Sequence, residues 1–266
     1  MLNLIFCVDS SGLFGRNNNL PWNFKEDLKY FKDMTTNFNR IDDSNNIIVM
    51  GSNTWNSIKK KLPNRTNIVI SSNQLSNIKV SGSDKPDHIF KTFDIFMENC
   101  KKGKLFYNKN IFVIGGKKLF SYVILKYNKF IKHVFINIIE HSFPQFINDV
   151  VLKIYSFHNF ELNRLSYTSI YSKNTIDNKY YYIKFNQYIN KNFNMNDVLN
   201  YINTDNKNIN IKTVINNEHN HNQYTILEEM QDVTLNYCED CESIVKNKNS
   251  KLCNDCLSSK CKCLFC

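Results

Sequence analysis

The sequence predicts an α/β protein with a mostly parallel central sheet of about eight strands and helices on both faces. Three observations carry that expectation. Strand-like and helix-like segments alternate over residues 1–189. Several of the strands are apolar runs of the kind that is buried on both faces. Two of them, "NIIVMG" and "NIFVIGG", end in glycine and pass directly into a helical pattern.

Taken in order, "LNLIFCV" reads as the first strand, and residues 25–36 as an amphipathic helix in which Leu28 and Phe31 share the inward face. Asp27 adjoins that apolar stripe, a costly place for a carboxylate unless something uses it. "NIIVMG" is a strand followed by a helix from Ser52 to Lys60. "TNIVISS" is a strand and "FDIFMENCKK" a helix. "NIFVIGG" is a strand, followed by the helix "KKLFSYVILKY". "HVFINII" is another strand. "FELNRLSYTSI" and "KYYYIKFNQY" read as a closing antiparallel pair.

After Tyr188 the chain becomes rich in Asn and Lys. Residues 190–236 read as a polar linker with room for a short helix around Val198–Ile202. Residues 237–266 form a cysteine-rich module. Of nine cysteines, only Cys7 and Cys100 lie outside it, whereas an extracellular disulfide scaffold would spread them through the fold. Cys238/Cys241 and Cys253/Cys256 are two CxxC pairs, the spacing with which a knuckle presents two thiolates to one tetrahedral Zn²⁺. Their separation of 11 residues is a little short of the usual ribbon spacing. A second zinc would need a fourth ligand, His219 or His221, or a different pairing of the cysteines. Such a module binds protein, nucleic acid or nothing beyond itself.

The chain has 266 residues, 42% of them hydrophobic, which suits a globular protein with a sizeable core. No apolar run is long enough to span a bilayer, and "MLNLIFCV" lacks the basic flank and cleavage site of a signal peptide. A cytoplasmic protein without a membrane partner is expected. The formal charge of +10 comes with 7 Gly and 4 Pro in a Lys- and Asn-rich composition. That pattern follows AT-rich coding, so the charge argues little for nucleic-acid binding.

The chemistry-bearing stretches are "VIGGKKLF", "VMGSNTWNSI", "LPNRTNIVISSN" and "LFGRNNNLPWNFKEDLKYFK". In the first, two glycines allow close backbone approach to a ligand, and the helix start favours a phosphate beside Lys117 and Lys118. The second repeats the arrangement with Gly51 and Thr54. Two such strand ends suggest a dinucleotide across the C-terminal edge of the sheet.

Together, in this order and spacing, the four stretches resemble dihydrofolate reductase over residues 1–189. The resemblance implies NADPH-dependent reduction of 7,8-dihydrofolate to tetrahydrofolate, serving one-carbon metabolism and thymidylate synthesis. Asp27 would be the single carboxylate of the pterin pocket, and Leu20, Pro21 and Trp22 the mobile lid over the nicotinamide. Leu28, Phe31, Ile58 and Leu62 would line the pterin and benzoyl rings, with Ile5 and Ile114 offering backbone carbonyls. Arg65 would pair with the substrate's glutamate α-carboxylate, which a guanidinium fork suits. Cofactor contacts would come from Cys7, Gly15, Leu20, Gly51, Ser52, Thr54, Ser71 and Ser72. Gly115, Gly116, Lys117, Lys118, Leu119 and Phe120 would complete them, with a cis peptide between the two glycines.

The chain departs from the family's pattern in several places, among them Phe6 and Cys7, which are bulkier than some counterparts. Ser52 stands where a basic residue usually meets the cofactor's 2′-phosphate. Asn137 replaces a frequent Thr that bonds the acid, and Phe120 a frequent Tyr. The segment between Asn137 and Pro144 is short, which bears on the steadiness of the lid. Two other readings compete: a related-fold reductase of a riboflavin-pathway aminopyrimidine, and a non-catalytic scaffold acting through its tail. The first has no use for the Asp27 and Arg65 motifs, and the second would not need to keep them.

Overall fold

The computed structural model describes residues 1–38, 46–72, 84–103, 109–152 and 162–203. Residues 1–152 and 159–198 make one compact unit; the second unit, Lys153–His158 with Leu199–Cys266, is described only over 199–203. The zinc expectation therefore lies outside the described residues.

Ten strands and five α-helices are present among the described residues. In chain order they are β1 (Leu2–Asp9), β2 (Leu13–Arg16), α1 (Lys25–Asn37), β3 (Asn46–Gly51), α2 (Ser52–Ile58) and β4 (Arg65–Ile70). There follow β5 (His88–Phe90), α3 (Phe93–Lys102), β6 (Ile111–Gly115), α4 (Lys117–Tyr127) and β7 (Ile131–Ile139). The chain continues through β8 (Asp149–Val151), β9 (Leu162–Lys173), β10 (Tyr180–Asn190) and α5 (Met195–Asn203). Eight strands form one sheet in the order β5-β4-β3-β6-β1-β7-β10-β9, and β2 pairs with β8 in a small second sheet. All pairs of the large sheet are parallel except those made by β10 with β7 and β9.

β1 explains why the sheet needs cover on both sides. All eight of its residues are buried, so its successive side chains must find packing on opposite faces. On one face Phe6 meets Phe120 of α4, with ring centroids 5.2 Å apart. On the other, Ile5 packs in a cluster with Ile48, Met50, Trp55, Phe112, Ile114 and Phe135, against which Tyr30, Phe31 and Met34 of α1 close.

Two local features differ from the sequence expectation. α2 stops at Ile58, because Lys59 takes a left-handed conformation (φ 61°) and returns its N–H to the Trp55 carbonyl. Leu28, expected to turn inward, is 47% exposed, while its neighbour Asp27 is buried. The stripe that α1 lays on the sheet runs through Asp27, Tyr30, Phe31, Met34 and Phe38, and Leu28 falls off its edge. The asparagines before Leu20 also acquire a reason. Asn17 and Asn18 both have positive φ, and Arg16 and Asn19 exchange two backbone hydrogen bonds of 2.8 Å across them. Asparagine tolerates that tight primed turn better than most residues.

β10 runs to Asn190, whose buried amide donates to the carbonyls of Asn128 and Ile131. Beyond it, Val198 of α5 is 3% exposed. No helix among the described residues is long and apolar enough to cross a membrane.

Candidate active site

The first turn of α1 has no side-chain cap from Phe24; it carries the acidic residues Glu26 and Asp27, whose charge suits a helix N-terminus. Glu26 accepts a hydrogen bond from Ser172 of β9, which ties the helix start to the closing hairpin. Asp27 points into the molecule and is 5% exposed. Beneath it, β1 and β7 run side by side with Cys7 opposite Asn137. Asn137 Nδ2 donates to Asp27 Oδ1 at 2.7 Å, and the Cys7 thiol bonds to the same carboxylate.

Burial raises the Asp27 pKa, and the hydrogen bonds from Asn137 and Cys7 only partly oppose it. Burial, reinforced by the Asp27 charge, pushes the Cys7 thiol well above its usual value. Tyr30, one turn along α1, is pushed up to about 12, mainly by burial and then by Asp27. No cation is among the groups that set the Asp27 ionisation. This is one acid held by neutral donors, and Cys7, one of the two, belongs to an apolar cluster with Trp22, Phe24, Ile183 and Phe185.

The segment from β2 to α1 is rooted at both ends. At its start, β2 pairs with β8, and Arg16 forks onto Asp149 at 2.8 and 2.7 Å with its guanidinium over Phe146. Buried Asp9 accepts from the backbone N–H of Ser11, Leu13 and Phe143, which joins the β1–β2 turn to the stretch after β7. At its end, Trp22 is buried and stacked on Phe143 at 5.8 Å. Asn23 is pinned by the Asn174 side chain and the Thr175 N–H, each at 3.0 Å. Between these roots Leu20 is 43% exposed.

Arg65 opens β4 and is 5% exposed. Its Nε donates to the Pro63 carbonyl and its Nη1 to Thr35 Oγ1 of α1, at 3.0 and 2.8 Å. Phe31 lies under its guanidinium carbon, 5.9 Å from the ring centroid. Burial lowers its pKa, yet an arginine stays charged. Among the described residues no carboxylate forms an ion pair with this buried guanidinium, which has Phe31 beside it. Asn67 shapes the preceding turn by bonding Leu62 through both its backbone groups.

A second surface lies at the carboxyl ends of β3, β4 and β6. The Gly115–Gly116 peptide is cis, as the resemblance implied. Gly115 has φ 146°, and a Cβ there would stand 3.0 Å from Thr54 Oγ1. A Cβ at Gly51 would stand 3.8 Å from Gly116 N, so the two strand ends face each other with little between them. Ser71 follows β4 and is anchored by its N–H to the Phe90 carbonyl. Lys118 is exposed on the first turn of α4. The fold thus gathers Gly51, Ser52, Thr54, Ser71, Gly115, Gly116, Lys117 and Lys118 at one sheet edge, with Ser72 next in the chain. Leu119 is buried, and Phe120 is fully buried between Phe6 and Phe14. Gly15 sits in β2 opposite Val150. Cys238, Cys241, Cys253 and Cys256 lie outside the described residues, and among those described no group of three or more His, Cys, Asp or Glu is placed to hold a metal ion.

Some partners were not foreseen from the sequence: Cys7 as a donor to Asp27, Thr35 as the acceptor for Arg65, and the Arg16–Asp149 fork. Each depends on a juxtaposition of distant segments, and only the first joins residues already singled out.

A family model described as dihydrofolate reductase matches residues 1–189. A dihydrofolate reductase of Buchnera aphidicola subsp. Acyrthosiphon pisum is 34% identical over 148 residues, covering 54% of this chain and 80% of that protein. One from Bacillus subtilis is 34% identical over 152 residues, covering 55% and 77%. Among solved structures, dihydrofolate reductase from Enterococcus faecalis complexed with NADP(H) and RAB-propyl superimposes with a TM-score of 0.52 at 20% identity, covering 72% of this chain and 96% of that one. At that identity the likeness concerns the fold.

The Cys7–Asp27 contact has a direct chemical readout. Burial keeps the Cys7 thiol protonated and the Asp27 carboxylate adds to that effect, so Asp27→Asn should lower the thiol pKa. A small thiol reagent at pH 8 should then modify Cys7 faster in the variant, because the thiolate is the reactive form. Peptide mass spectrometry reads the rate at Cys7, and equal rates in the two proteins would show that the groups do not interact.

Proposed function

The chain belongs to the dihydrofolate reductase family, and on that premise we propose that it reduces 7,8-dihydrofolate to 5,6,7,8-tetrahydrofolate with NADPH, supplying one-carbon metabolism and thymidylate synthesis. The observation that carries this reading is the solitary Asp27, buried, unpaired by any cation and raised in pKa. A carboxyl in that state can accept hydrogens from the amino group and N3 of a pterin ring. It also favours arrival of a proton at N5, the atom next to the carbon that is reduced.

The residues at the second surface fit the cofactor. Gly51 and the Gly115–Gly116 cradle leave room for backbone approach, which any Cβ at Gly115 would close. When bound there, reduced nicotinamide dinucleotide supplies the hydride. Ser52 offers a hydroxyl where a fixed cation would grip the 2′-phosphate, and exposed Lys118 supplies the positive charge. Leu20 and Leu28, both exposed and apolar, are the surfaces that the nicotinamide and the substrate's rings would cover, excluding water from the reacting atoms. Ile5, Phe31, Ile58, Leu62 and Ile114 supply the rest of the apolar wall. Arg65 would take the glutamate α-carboxylate, the charge its buried guanidinium lacks.

We further propose that the catalytic module ends with the closing hairpin, at about residue 189. Residues 190–236 would then act as a tether, and residues 237–266 as a zinc-binding module for a protein or nucleic-acid partner. A cytoplasmic setting, where thiols stay reduced, suits that module.

The experiment that tests the function is loss of NADPH absorbance with dihydrofolate. Asp27→Asn should lower turnover by at least about 10²-fold, the scale of a lost acid–base group. The same change should stabilise the fold at neutral pH. The native pKa of Asp27 lies above its ordinary 3.8, so its ionisation inside the protein costs stability as pH rises through the native value. A higher melting temperature for Asp27→Asn at pH 8, with the gap closing below pH 4, is the expected result. Near-normal turnover would remove Asp27 from the chemistry.

Arg65→Ala should raise KM for dihydrofolate while leaving a pteridine without the glutamate nearly indifferent, because the contact is remote from the reacting carbon. Equal losses on both substrates would make Arg65 a support of the fold alone. For the tail, protein purified without chelator should carry one or two Zn²⁺ per chain, and changing Cys238 and Cys241 to Ser should lower that count. Full metal content in the double variant would refute the pairing.

A further inference from the structure

Asp9 ends β1 and is completely buried, with no ion pair among the described residues. Its two oxygens serve two different segments. Oδ1 accepts from the backbone N–H and the hydroxyl of Ser11 at 2.9 and 2.7 Å, and from the N–H of Leu13 at 2.8 Å, which shapes the β1–β2 turn. Oδ2 accepts from the N–H of Phe143 at 2.8 Å, across 134 positions of the chain. Two further bonds sew the same segments together, from the Ser10 N–H to the His141 carbonyl and from Gln145 Nε2 to Ser11 Oγ. A carboxylate offers two acceptor atoms and no donor, so an amide in its place would set one N–H against another.

Phe143 is the residue on which Trp22 stacks, with the ring planes 28° apart. The indole N–H of Trp22 is buried and finds no acceptor among the described residues, so no hydrogen bond of its own orients the ring. Packing sets it, and Phe143 in turn meets His141 and Tyr181 at centroid distances of 4.8 and 5.4 Å. The connection from Asn137 to Pro144 is short, and it is held from outside, by Asp9.

We propose that Asp9 is a positioning residue for the reduction. Through the Phe143 N–H it fixes the ring on which Trp22 rests, and so fixes the carboxyl end of the segment that carries Leu20. The proposal rests on the dihydrofolate reading, in which Leu20, Pro21 and Trp22 cover the nicotinamide. Asp9 itself touches neither ligand. It acts on how well the reacting atoms are aligned once both are bound, and a displacement of about 1 Å caused by a distant change costs up to about 10²-fold in rate. Binding of the cofactor at the glycine cradle does not pass through this linkage.

The test uses the full chain with Asp9→Asn, Phe143→Leu and the two combined. Acrylamide quenching of fluorescence reads the exposure of Trp22, because the other tryptophan, Trp55, is fully buried. Quenching should rise in Asp9→Asn while thermal melting stays cooperative. The single-turnover rate of dihydrofolate reduction should fall between about tenfold and about 10²-fold, with KM for NADPH nearly unchanged. Because Asp9 acts through Phe143, adding Asp9→Asn to Phe143→Leu should cost little beyond Phe143→Leu alone. Ser11→Ala removes one bond to Oδ1 and keeps the acid. It should move quenching and rate the same way by less, and it carries the test if Asp9→Asn does not fold. A lower melting temperature with quenching and rate unmoved would make Asp9 a support of the fold and overturn the proposal. Losses that multiply in the double variant would overturn it too, since Asp9 would then act by another route. A wild type that reduces no dihydrofolate, with Trp22 quenching raised and non-additive in the variants, overturns the dihydrofolate reading and leaves the Asp9–Phe143–Trp22 linkage standing.

Discussion

A carboxyl group enclosed by protein must either find a cation or live with a raised pKa, and Asp27 does the second. Its anchorage to Asn137 of β7, with Cys7 of β1 beside it, is the constraint on which the site depends. That contact requires β1 and β7 to be adjacent and parallel, with Cys7 in register with Asn137. It requires the first turn of α1 to lie over them, which the Glu26–Ser172 bond and the pinning of Asn23 by Asn174 secure. A slip of one residue by either strand would turn its partner in this contact to the other face of the sheet.

The rest of the pocket is arranged about that acid by the same α1 and by the neighbouring strands. Thr35, two turns along the helix, accepts from Arg65 while giving its own hydroxyl hydrogen to the Phe31 carbonyl. One helix thus sets both the anionic end and the cationic end of the cleft, with Phe31 between them. The distance between the two charges is therefore rigid, while the lid bearing Leu20 is fixed only at its roots.

Much of this was legible in the sequence where long signals exist. β1, β3 and β6 are apolar runs that little but a buried strand explains, and the PWN, LPNR and GG stretches placed Trp22, Asp27, Arg65 and the glycine cradle. The β2, β5 and β8 strands were not expected, being three or four residues long and too short for any periodicity to register. Leu28 was misjudged because two apolar residues three apart define a helical face only roughly. The inward face in fact centres on an acid. Asn137 stood out as a departure from the family's pattern, but its place beside Cys7 follows from strand register, which cannot be read from one segment alone.

The central claim is that Asp27 is ionisable at an elevated pKa because it is buried among neutral donors. It is tested most directly by ¹³C NMR titration of side-chain carboxyls in the unliganded protein, with Asp27→Asn identifying the resonance. The account predicts a midpoint above the ordinary 3.8, moving further up in Asn137→Leu, where a hydrogen bond that favours the charged form is lost. A midpoint at or below the ordinary value, unmoved by the change at Asn137, would contradict it.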